Sequence, residues 1–106
     1  MKSILILIAF ILSFNLFSQE PTLLYMNSDW NHKNDYEFLN LIKGVKVLEV
    51  DYDSQPEKFK KAISSVPAII LFDKNKKLKK IWQAGLTMKL TVDPKEIQKA
   101  INKLNK

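Results

Sequence analysis

Apolar residues come along this chain in short blocks divided by polar, turn-forming residues, and the period changes from block to block. Thr22-Leu23-Leu24-Tyr25-Met26 is nearly unbroken, which predicts a strand covered on both faces. Asn27-Ser28-Asp29 interrupts it. Between Asp35 and Lys43, the residues Phe38, Leu41 and Ile42 fall at i, i+3, i+4, with Leu39 beside them, and predict a helix with a buried stripe. Asn31 is its expected N-cap, Asp35 and Glu37 place negative charge near its positive end, Lys43 lies near the negative end, and Gly44 stops it. Val45 to Val50 reads as a second strand, ending in Asp51-Tyr52-Asp53. Ser54-Gln55-Pro56-Glu57 has the form of a capping box with proline in the first turn, opening a short helix through Phe59, Ala62 and Ile63. Val66 to Phe72 is a third strand entered through Pro67. Asp73-Lys74-Asn75-Lys76 is turn chemistry, and Lys77 to Gln83 sets Leu78, Ile81 and Trp82 among lysines, so the pair reads as a hairpin with one exposed side. Leu86 to Val92 shows no period, and Asp93-Pro94-Lys95-Glu96 opens a last helix with Ile97, Ala100, Ile101 and Leu104 on one stripe.

The predicted order is β-α-β-α-β-β-α. Two strand–helix–strand crossovers imply a parallel core with the hairpin strand antiparallel at one edge and helices on both faces. The expected class is therefore α/β, a three-layer sandwich on a mixed four-stranded sheet, with Phe72 and Trp82 in its core. Ahead of this lies a different pattern: Lys2, a continuous apolar run from Ile4 to Leu12 broken only by Ala9, then a passage to polar Gln19-Glu20. That is the form of a secretory signal peptide cleaved near Ser18. The run is shorter than the ~20 residues a membrane-spanning helix needs. The expectation is a signal at 1–18, one domain at 19–106, and export to the periplasm or the outside of the cell.

Composition narrows the chemistry. With 46% hydrophobic and 26% charged residues among 106, the chain suits a single globular domain. It contains no cysteine, which excludes a lipid-anchoring cysteine, disulfide staples and every thiol reaction. Packing alone must hold the fold. A net charge of +6 allows weak contact with anionic surfaces and is too small to argue for nucleic acid as a partner.

The stretch Trp30-Asn31-His32-Lys33-Asn34-Asp35 follows the first strand and opens the second element. With Asp51-Tyr52-Asp53, Val66-Pro67 and Gly85 at matching places, it resembles the thioredoxin family from Pro21 to the end of the chain. The resemblance implies a thioredoxin fold without its first strand and helix. It implies that Trp30 is the tryptophan before the family's first cysteine, that Asn31 and Asn34 occupy the two Cys-x-x-Cys positions, that the Val66-Pro67 bond is cis, and that Tyr25 replaces the family's buried acid. In the family one thiolate attacks a disulfide and the second resolves the mixed disulfide. Asparagine amides cannot do this, so disulfide exchange is excluded, and neither a catalytic residue nor a cofactor is expected.

Three readings of function follow. In the first, the Trp30/Pro67 corner with the Val66 backbone and His32 binds an extended peptide or protein segment by strand addition, which needs no sulfur. In the second, the helix start forms a non-redox enzyme or ligand site from His32, Asn31 and Asn34, or an anion site from Asn31, Asn34 and Lys33; a solvated corner with Asn31 as a cap competes with it. A metal is not expected, because His32 with Asp29 and Asp35 is a poor ligand set. In the third, Lys74 to Lys80 forms a basic adhesive surface; a charged edge that blocks strand-to-strand association explains the same lysines.

Overall fold

The computed structural model describes residues 20 to 105, so the signal-peptide reading of 1–18 lies outside the described residues. Among the described residues no helix is long and apolar enough to cross a membrane. Four strands form one sheet in the order β2-β1-β3-β4, with β1 at Thr22–Asn27, β2 at Lys46–Asp51, β3 at Ala68–Phe72 and β4 at Leu78–Gln83. Every residue of β1 and β3 is buried, as their continuous apolar runs require.

Side chains alternate between the two faces of the sheet and so divide the core. Leu23, Tyr25, Ile69, Leu71 and Trp82 lie on one side with Tyr36, Ile42 and with Ile97 and Ile101 of the last helix, Pro94–Leu104. Leu24, Met26, Ala68, Ile70 and Phe72 lie on the other with Ile63 and Val66. Phe72 and Trp82 are in the core, and the Trp82 indole N–H donates to Glu96 at 2.7 Å. Asp93 caps the last helix, its carboxylate accepting from the Lys95 amide at 2.9 Å.

The sheet is mixed, but its parallel part is smaller than the element order implies. β1 runs parallel to β2 and antiparallel to β3, and β3 is antiparallel to β4. The second crossover is therefore not a crossover. Asn27 pairs with Asp51 and Met26 with Ala68, so the chain leaves β2 and enters β3 at the same end of the sheet. The helix between them, Glu57–Lys60, has four residues. That is about 6 Å of helix, too short to return along a strand of about 20 Å. It also ends before Ala62 and Ile63. The expected capping box does not form, because both the amide and the hydroxyl of Ser54 donate to the Asp51 carboxylate.

The helix expected over 35–43 is absent. A single 3-10 turn, Leu39–Leu41, stands in that range, and another, Asp29–Asn34, precedes it. Asn31, Asn34, Asp35 and Asn40 all fall in this segment, and their short polar side chains compete with helical hydrogen bonding. The stripe shifts accordingly. Ile42 is buried, but Phe38 and Leu41 are 42% and 58% exposed, and Tyr36 takes the inward position with its hydroxyl donating to the Val92 carbonyl at 2.7 Å. Gly44 turns the chain into β2 at φ 75°, where a side chain would also meet Asn105.

Candidate functional site

The corner after β1 is built around a buried asparagine. Asn31 lies inside the first 3-10 turn at φ −111°, ψ 16°, and is 2% exposed. Its amide nitrogen donates to the Met88 carbonyl at 2.9 Å and to the Asn27 side chain at 3.2 Å, with the Val66 carbonyl at 3.4 Å. Its side-chain oxygen accepts from Asn34 at 2.8 Å, and its backbone carbonyl accepts from Asn27 at 3.1 Å. One side chain thus joins the end of β1, the bend at Val66-Pro67 and the loop after Gly85. That loop meets it because Met88 adopts φ 58°, an unusual conformation for a residue with a side chain.

The Val66–Pro67 peptide is cis. The Pro67 carbonyl accepts from the Ala84 amide at 3.0 Å, extending the β3–β4 pairing to the bend. Val66 is 4% exposed and belongs to the core, with its carbonyl turned toward Asn31. The exposed apolar surface at the corner comes instead from Trp30, 63% exposed, and from the fully exposed Leu86. Each lies within two residues of the Asn31–Met88 hydrogen bond.

Beneath the turn a second polar cluster holds the chain to β1. The Tyr25 hydroxyl donates to Asp35 at 2.8 Å and accepts from the Tyr36 amide at 2.9 Å. Asn27 donates to the same Asp35 oxygen at 2.7 Å, and His32 meets its other oxygen at 2.5 Å. Burial pushes the Tyr25 phenol well above its ordinary range, and the Asp35 carboxylate adds to that. For Asp35 burial acts upward, but hydrogen bonds from Asn27 and Tyr25, together with His32, outweigh it and hold the carboxyl below its usual range. The Tyr36 phenol is pushed up to about 12, first by burial and then by Asp93.

These contacts revise several expectations. Asn31 is not an N-cap, since Ser28 precedes the turn and makes no side-chain capping bond. The amide donors of Asn31 and Asn34, expected to face an anion, donate inside the protein. Lys33 and His32 remain exposed, in a six-residue 3-10 turn rather than at the start of an α-helix. Among the described residues no three His, Asp or Glu side chains cluster closely enough to hold a metal ion. Asn27, Leu86 and Met88 join the site without having been expected there, and Asp35, expected only as a poor metal ligand beside His32, is a hydrogen-bond anchor. The two adjoining breaks in the apolar pattern, Asn27 and Asp35, were the available signal; nothing local distinguishes Leu86 or Met88.

No protein-family model matches the chain, and no curated protein matches it. Among solved structures, a disulphide isomerase from Xylella fastidiosa Temecula1 is similar, with a TM-score of 0.51 at 16% identity over 94% of this chain and 86% of that one. At that identity the likeness is one of fold. The chain has a thioredoxin-like fold and contains no cysteine.

Proposed function

We propose that this thioredoxin-like chain is exported and binds extended segments of other proteins, without covalent chemistry, at the corner formed by Trp30, the Val66-Pro67 bend and Leu86. The observation that carries the reading is Trp30, 63% exposed although its neighbour Asn31 is 2% exposed and fastened to two other segments. A large aromatic held on a rigid support and left in water is the usual form of a contact residue. Leu86, exposed two residues before Met88, is the second apolar contact in this reading, and His32, exposed two residues after Trp30, offers a polar group. Export rests on Lys2 and the apolar run Ile4 to Leu12.

The test is a titration of the full chain with an unstructured apolar peptide, followed by tryptophan fluorescence and calorimetry. Trp30→Ala is expected to weaken binding by about tenfold or more, the range of a central aromatic contact. Equal binding by wild type and variant overturns the reading. Salt separates it from the lysine hairpin, because contacts through exposed lysines weaken steeply as ionic strength rises. Export is checked by the mass of the secreted protein, expected to begin near Gln19.

A further inference from the structure

A pocket of about 210 Å³ lies between the end of β1, the first 3-10 turn and β2. In a chain with 17 lysines and 11 carboxylates, four of those carboxylates, Asp29, Asp35, Glu49 and Asp51, line it, and among the described residues no lysine does. Acidic side chains on a surface are ordinarily just solvated. A second observation separates this group from that case. Ser28 also lines the pocket, is 3% exposed, and its hydroxyl oxygen is the buried side-chain atom without a hydrogen-bond partner among the described residues. A buried hydroxyl left unpaired is unfavourable, and such groups in folded proteins usually pair with ordered water, an ion or a ligand group.

The acceptors are too dispersed for a point charge, since no three acidic or histidine groups converge on one position among the described residues. Asp35 is engaged by Tyr25 and Asn27 and, at its other oxygen, by His32, which also lines the pocket, and Asp51 is engaged by Ser54, while Asp29 and Glu49 stand exposed. Acceptors spread around a small opening suit a planar cation with several N–H donors, which can meet a carboxylate with two of them and a hydroxyl with another. Ser28, Asp29 and His32 belong to the same short segment as Trp30, so the pocket adjoins the apolar corner.

We propose that this pocket receives the guanidinium of an arginine side chain on the bound segment, with Glu49 and Asp29 facing its charge and the buried Ser28 hydroxyl turning about its side-chain bond to accept one N–H. The partner in this inference rests on the peptide-binding reading above; the chemistry of the pocket does not.

The experiment uses the ¹⁵N-labelled full chain and two probes, arginine amide and its uncharged counterpart citrulline amide. Arginine amide is expected to shift the amide signals of Asn27, Ser28 and Glu49 saturably, and citrulline amide to leave them in place. Glu49→Gln and Ser28→Ala are each expected to weaken arginine amide at least threefold. Ser28→Ala should do so with an unchanged or raised thermal midpoint, because it removes an unpaired buried group; a purely structural role for the hydroxyl would lower that midpoint. Equal shifts with both probes, no shifts, or unchanged affinity in both variants overturn the proposal. A peptide carrying arginine and its citrulline counterpart complete the test. Peptide binding without preference between them overturns this inference and leaves the Trp30 corner standing. Saturable, variant-sensitive arginine amide binding with no peptide binding supports the pocket and overturns the corner reading alone.

Discussion

Asn31 shows how much one side chain can hold when both ends of an amide are used. It donates to a carbonyl 57 residues away and accepts from its neighbour one turn on. Replacing it by alanine leaves the Met88 carbonyl and the Asn34 amide without these partners in a largely buried setting. Asn31→Ala is therefore expected to lower stability by about 2–3 kcal/mol, the range for losing several hydrogen bonds and leaving buried groups unpaired. Asn34→Ala, at a half-buried position, should cost about 1 kcal/mol. Urea unfolding followed by circular dichroism measures both. The position of Asn31 at a strand-to-helix corner was legible in the sequence, but its role was not. A cap is a local feature, whereas Val66 and Met88 are 35 and 57 residues distant.

The segment from Asp29 to Leu41 has only the short-range hydrogen bonds of its two 3-10 turns, and side-chain ties to β1 hold it in place. Its hydrophobic spacing favours a helix, but Tyr25, ten residues upstream, takes up Asp35 and the Tyr36 amide. Those two contacts set the path of the chain, which explains why a reading of local period fails here while it succeeds for the strands and the last helix. Acid should loosen the ties. Asp35 titrates below its ordinary range in the folded protein, so its charged form contributes stability that is fully present above the unfolded value near 4 and is lost as pH falls through the folded one. Wild type is expected to lose stability more steeply than Asp35→Asn as pH falls from about 5 toward 3. Urea midpoints collected across that window decide the matter, and parallel slopes would refute it.

At the scale of the molecule, a small fold has closed without any covalent staple by covering both faces of its two central strands. That much was legible, because continuous apolar runs such as 22–26 and 68–72 have few other solutions. Strand direction was not, since it depends on the short Glu57–Lys60 helix failing to span the sheet. The sheet leaves β4 at an edge, where Lys79 and Lys80 are exposed beside the irregularity at Leu71/Phe72. Charged side chains on such an edge oppose pairing with another copy. The double replacement Lys79→Val, Lys80→Val is expected to aggregate faster on warming, on the order of twofold or more, as read by light scattering. The amide fastening at Asn31 has a last implication. A sulfur bridge has an open and a closed form, so any surface built on it changes with the oxidants and reductants around it. Hydrogen bonds between amides and carbonyls exchange no electrons, and the presentation of Trp30 stays constant through such changes. Control over what meets it falls to concentration and competition.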